Sequence, residues 1–110
     1  MIVGIDIGTQ SLKVAVTDRA LKVRGEAATR YRAQFLRPGW AEQDPALWER
    51  ALGPTIARAL DEAGAAPQQV AALGVCGQLD GCVAVDAEGR VLTPCLVWMD
   101  RRAHKETADV

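Results

Sequence analysis

Apolar residues recur along this chain with two periods, and the change from one to the other sets out its elements. Residues 2–7 (IVGIDI) are a short run of β-branched residues with a polar break after it, which predicts a buried strand. Gly8-Thr9-Gln10 reads as a turn. Residues 11–18 (SLKVAVTD) alternate, with Leu12, Val14 and Val16 facing one way and Ser11, Lys13 and Ala15 the other. That pattern predicts a half-buried strand paired with the first as a hairpin. Residues 21–32 (LKVRGEAATRYR) read as a third strand, with Gly25 a candidate bulge.

The period then lengthens. Pro38-Gly39 marks a turn, and Asp44-Pro45 is a helix start, a capping acid followed by proline at the first helical position. Trp48, Leu52, Ile56, Ala59, Leu60 and Ala63 recur along one helical face. Pro54 should kink this helix or split it in two, and Gly64 should end it. Residues 70–76 (VAALGVC) predict another buried strand, and 77–81 (GQLDG) a glycine-bounded loop. Residues 82–86 and 90–97 predict a hairpin around Glu88-Gly89, and a helix is expected to begin near Asp100 or Arg101. Antiparallel strands, a helix, a strand and a helix, in that order, predict an α/β domain with a sheet of mixed pairing. The last predicted helix has no following strand, so the 110 residues are expected to be a segment of a longer chain.

Bulk properties narrow the function classes. With 49% hydrophobic and 25% charged residues the chain reads as globular. A net charge of −1 gives no general attraction to nucleic acid or to anionic membrane. Cys76, Cys82 and Cys95 are odd in number and form no C-x-x-C pair, so neither a disulfide scaffold nor a zinc site is expected. Reduced thiols in a cytoplasmic protein are the expectation instead. No basic leader precedes the first apolar stretch and Asp6 breaks it, so neither a signal peptide nor a membrane span is expected.

Three clusters carry candidate chemistry. Asp6-x-Gly8-Thr9 sits at the predicted hairpin tip: Gly8 permits close backbone approach, backbone N–H groups and the Thr9 hydroxyl suit phosphate oxygens, and Asp6 suits a hydrated Mg²⁺. The same residues also suit a plain turn whose Asp accepts backbone N–H bonds. Gly77-Gln78-Leu79-Asp80-Gly81 follows a strand, where α/β ligand sites gather, and Gln78 and Asp80 offer donors and acceptors for sugar hydroxyls; a surface turn is the alternative. Trp98 suits an apolar wall against a sugar, while Asp100 suits a helix cap paired with Arg102; a core tryptophan beside a cap is the alternative.

In this order and spacing the three clusters resemble one family. "GIDIGTQSLKV", "GWAEQDPALWERA" and "ALGVCGQLDGCVAVDAEGRVLTPCLVWMDRR" are similar to the first phosphate loop, the E-Q-D-P segment and the G-Q-x-x-G … W-x-D-x-R segment of the FGGY carbohydrate kinases. The resemblance covers essentially the whole chain and is strongest to xylulokinase-like members. It implies a ribonuclease-H-like (actin-like ATPase) fold, with residues 1–110 forming the first part of the first domain and the nucleotide-binding domain absent. It implies ATP and Mg²⁺ as cofactors, with Asp6 at the metal and Gly8, Thr9, Gln10, Ser11 and Lys13 at the phosphates. Gln78, Leu79, Asp80, Trp98 and Arg102 fall to the sugar or polyol substrate. The catalytic base is expected in a later segment, so this segment alone is expected to be inactive. Full length, the protein is expected to be a cytoplasmic sugar kinase able to form a homodimer; a non-catalytic module that kept the fold is the alternative. One departure bears on the substrate: Leu79-Asp80 stands where xylulokinases have Met-His, although pentuloses such as xylulose remain the favoured acceptors.

Overall fold

The computed structural model describes residues 1–109. Strands β1 (Ile2–Ile7), β2 (Ser11–Thr17) and β3 (Val23–Arg30) form a meander, and β4 (Glu42–Gln43) precedes helix α1 (Ala46–Glu62). Strand β5 (Ala72–Gly77) then pairs with β1 in parallel, giving a four-stranded mixed sheet in the order β3-β2-β1-β5. A second, two-stranded sheet joins β4 to β6 (Cys95–Leu96) in antiparallel fashion.

One face of the large sheet is covered and the other is open. Val3, Ile5, Leu12, Val14 and Val16 turn inward and meet Ala51, Ala59 and Leu60 of α1. Burial of each large aliphatic side chain contributes about 1.5–3 kcal/mol, so this seam dominates the stability of the unit. Gly25 is what brings the helix close. A Cβ there would collide with the backbone of Ala59 and stand 2.5 Å from the Ala63 nitrogen. The strand irregularity lies next door, at Arg24, because Val16 pairs with Gly25 and Thr17 with Val23.

Helix α1 starts as the sequence predicts: the Asp44 carboxylate accepts the Ala46 N–H at 2.9 Å. It ends at Gly64, whose φ of +60° suits glycine. Pro54 does not split it. The helix runs unbroken for 17 residues, and Pro54 lies on the exposed side, where water can reach the carbonyl that lost its partner.

Three further expectations change. Strand β5 is exposed along its whole length rather than buried, because α1 packs on β2 and β3 and does not reach this edge. The predicted hairpin at 82–97 keeps its turn, with the Asp86 carboxylate accepting the Glu88 and Arg90 N–H groups. Its arms, however, meet only in isolated bridges, Val85 with Val91 and Cys82 with Leu96. Pro94, with no N–H to give, interrupts the ladder between them. Beyond Asp100 there are turns and a 3₁₀ segment, Glu106–Asp109, in place of an α-helix. Asp100 does make the predicted cap contact, its carboxylate accepting the Arg102 N–H at 3.0 Å, but no α-helix propagates from it. The Arg101 N–H donates to the Gly39 carbonyl at 2.7 Å, and the Asp100 carboxylate accepts from Ala41 and Arg102.

Candidate active-site cleft

Parallel pairing of β1 with β5 sets Ile7 opposite Gly77, so the loops that follow both strands open at the same edge of the sheet. Between them lies a hollow of about 370 Å³, lined by Asp6, Gly8, Thr9, Gln78, Leu79, Asp80 and Trp98. Three sequence clusters thus meet at one strand-end crevice, the usual location of ligand sites in α/β sheets. A larger hollow of about 840 Å³ lies on the uncovered sheet face, floored by small residues including Gly4, Ala15 and Gly74.

The phosphate-loop candidate is tightly tied. The Gly8 N–H donates to the Ser11 carbonyl at 3.0 Å and closes the turn. A Cβ on Gly8 would stand 3.2 Å from that same carbonyl oxygen. The Tyr31 hydroxyl donates to the Gly8 carbonyl at 2.7 Å, and the Tyr31 N–H to the Gln10 carbonyl. Burial, and secondarily the charge of Asp6, push the Tyr31 phenol up to about 12. The Thr9 hydroxyl donates to Gln78 Oε1 and accepts from the Trp98 indole N–H, both at 3.1 Å. The Thr9 carbonyl accepts from Gln43 Nε2 at 2.9 Å.

Asp6 is an acid within a strand, but it is not a buried charge. Its side chain is 45% exposed, it sits opposite Lys13 across the hairpin, and Lys13 Nζ lies 4.0 Å from its Oδ2. The Cys76 thiol points at its Oδ1 across the parallel pair, 3.8 Å away. Asp80 occupies left-handed backbone at φ +56°, a conformation in which Asp is enriched. Leu79, 81% exposed, and Trp98, 51% exposed, give the cleft an apolar rim.

Other predicted residues lie outside the hollow. Gln10 is exposed on the hairpin tip, Ser11 opens β2, and Lys13 stands on the uncovered sheet face beside Asp6. Arg102 is engaged behind the cleft: it forks onto Asp100 at 2.7 and 2.9 Å, bonds Glu42 at 2.7 Å, and stacks 3.8 Å over the Trp40 ring. The guanidinium holds the Asp100 carboxyl well below the usual carboxylate range. Buried Gln43 and Tyr31, unassigned in the sequence, turn out to touch the loop; Gln43 stood in plain view inside E-Q-D-P.

The model of the N-terminal domain of the FGGY family of carbohydrate kinases matches residues 1–110. The chain belongs to this family. It is 34% identical over 106 residues to a xylulose kinase of Escherichia coli, covering 96% of this chain and 22% of that protein. It is 40% identical over 104 residues to a glycerol kinase of Bordetella pertussis, covering 92% and 20%. Among solved structures, xylulose kinase from Rhodospirillum rubrum superposes with a TM-score of 0.90 at 31% identity, over 97% of this chain and 22% of that one. This FGGY segment therefore has the mixed sheet of the actin-like ATPase fold, as part of a first domain. It spans about a fifth of the length of the relatives it matches.

Proposed function

We propose that the full-length protein transfers the γ-phosphoryl group of ATP to a hydroxyl of a sugar or polyol, with a pentulose such as xylulose the favoured acceptor. The observation that carries this reading is the meeting of the Gly8-Thr9 turn with the Gln78-Asp80 loop in one cleft. Phosphoryl transfer needs chiefly positioning and charge stabilisation, and a cleft between a glycine turn and a polar loop supplies the first.

In this reading the glycine turn brings backbone close to the phosphates, with Gln10, Ser11 and Lys13 on its flank. Gln78 and Asp80 hold sugar hydroxyls, and Leu79 and Trp98 cover the carbon face. Arg102 acts on the substrate side through the Asp100 and Glu42 scaffold. The donor set suits Mg²⁺ as a co-substrate ion: magnesium keeps much of its water and commonly uses one or two carboxylates together with phosphates. Asp6, half-exposed at the cleft, is such a carboxylate. Among the described residues no cluster of three or more ligating side chains forms a closed cage. Bound ATP–Mg²⁺ supplies the phosphoryl group; Asp6 and the turn orient it.

The base that accepts the sugar proton and the adenine pocket are assigned to later segments, so residues 1–110 alone should not turn over. Xylulose and glycerol kinases match the chain alike, and Asp80 offers an ionisable acceptor to either substrate class. A cytoplasmic location is part of this proposal; no helix among the described residues is long and apolar enough to cross a membrane. A coupled ADP-release assay of the full-length protein with pentuloses, hexoses and polyols tests the reading. Sugar-dependent ADP from the full-length protein, and none from the segment, is expected. Absence of any acceptor-dependent turnover overturns it.

A further inference from the structure

Gln43, the last residue of β4, is 1% exposed, yet its amide makes three hydrogen bonds. Their directions can be worked out from donor and acceptor chemistry alone. The Trp48 indole N–H only donates, so the oxygen of the Gln43 amide faces it, at 2.9 Å. The nitrogen then faces the Thr9 carbonyl, which only accepts, at 2.9 Å. The same Gln43 oxygen receives Gln78 Nε2 at 3.2 Å, which turns the Gln78 oxygen toward Thr9. The Thr9 hydroxyl must therefore give its proton to Gln78, at 3.1 Å, and keep its lone pairs for the Trp98 side of the cleft.

We infer that Gln43 is the positioning residue of this cleft: anchored by Trp48, it holds the Thr9 carbonyl and, through Gln78, sets the direction of the Thr9 hydroxyl. The phosphate side and the sugar side of the cleft are thereby held to one another by a residue that touches neither ligand. The Thr9 hydroxyl proton is thereby taken by Gln78, so it is not free for an entering phosphate oxygen, contrary to the donor role its residue type suggested in the sequence. The kinetic consequence rests on the kinase reading above; the geometric one does not.

Two variants of the full-length protein test it. Gln43→Glu keeps the shape and the acceptors toward Trp48 and Gln78 and, assayed at alkaline pH where it is ionised, opposes the Thr9 carbonyl with an oxygen that cannot donate. Gln43→Met keeps length without charge or hydrogen bonds, and serves if the buried carboxylate prevents folding. Misplacement of reacting groups by about 1 Å costs on the order of 100-fold, so kcat should fall by about 10- to 100-fold in both variants, while KM for the sugar should stay within about threefold in Gln43→Glu, which keeps the Gln78 contact, and rise in Gln43→Met, which loses it. Combined with Gln78→Glu, the loss should be clearly smaller than the product of the single losses, as expected for residues in one network. A kcat within about twofold of wild type in a folded variant, or fully multiplicative losses, overturns the inference. If the wild-type protein shows no acceptor-dependent turnover, the kinase reading falls and a crystal structure of the variant decides this one. A shifted Thr9 carbonyl supports it, and an unmoved Gly8-Thr9 turn with Gln78 in place overturns it.

Discussion

Tyr31 reaches back from the end of the third strand to hold the Gly8 carbonyl at 2.7 Å. Tyr31→Phe removes that bond and keeps the ring, so it should cost about 1 kcal/mol, the net value of one hydrogen bond. Urea unfolding at neutral pH measures it. The phenol also carries a pH signature, because its folded value is raised from 10.0 to about 12. A raised acid holds its proton longer folded than unfolded, so its contribution is complete below 10.0 and is lost as pH rises toward 12. The alkaline loss of stability over that window should be smaller in Tyr31→Phe.

Asp100 accepts from the Ala41 N–H and from the fork of Arg102, and its side chain is 7% exposed. Asp100→Asn should destabilise the folded chain by about 2 kcal/mol at neutral pH, since hydrogen bonds to charged groups contribute about 1.5–3 kcal/mol. Its carboxyl is depressed when folded, first by the Arg102 hydrogen bonds. The stabilisation is therefore present above the ordinary value of 3.8 and is lost as pH falls below it. Thermal melts of both proteins should converge on acidification and stay apart at neutral pH.

Gly25 lies where a methyl group would strike the backbone of α1 rather than a yielding side chain. Gly25→Ala should cost about 1–3 kcal/mol, the usual range for overpacking a close contact. Gly53, in open space on the same helix, is the control: Gly53→Ala should stabilise by about 0.5–1 kcal/mol through helix propensity. Chemical denaturation of the pair separates crowding from backbone entropy.

Asp80 combines a carboxylate at the cleft with left-handed backbone at φ +56°. On the proposed reading, Asp80→Gly in the full-length protein should keep the loop and lose only the carboxylate, with a loss in kcat/KM worth about 1–3 kcal/mol. Asp80→Ala should lose the same and melt lower than Asp80→Gly, because a left-handed L-residue costs about 1–2 kcal/mol. Equal kinetics for wild type and Asp80→Gly would remove this side chain from the site. Asp6→Ala should impair Mg²⁺-dependent nucleotide use while leaving sugar binding nearly unchanged, read by titrating each separately.

The elements governed by local rules were legible in the sequence. The alternation Leu12-Val14-Val16 became the buried face of β2, and Asp44-Pro45 and Gly64 mark where α1 begins and ends. The glycine-bracketed motifs were legible because glycine marks the turns at strand ends, and the cleft opens between two such ends. What escaped depends on which surface meets which. The apolar run of β5 looks the same whether or not a helix covers it, and here none does. Asp100 pairs with Arg102 and accepts its N–H as residue type and spacing predict, but its bond to the Ala41 N–H, 59 residues away, depends on the fold. Gln43 reads as one more polar residue ahead of a helix until the fold encloses it between Trp48, Gln78 and Thr9.

The pairing of β1 with β5 has a consequence in time as well as in space. Strands β1 to β3 join through neighbours in the chain and can form early from short-range contacts. Thr9 and Gln78 are 69 residues apart, and nothing joins them until that long stretch has closed and β5 has found its register. The hairpin can thus be born on its own, but the cleft it serves comes into being only at the last closure, and any slip of β5 along β1 would leave a folded meander with no place for a ligand.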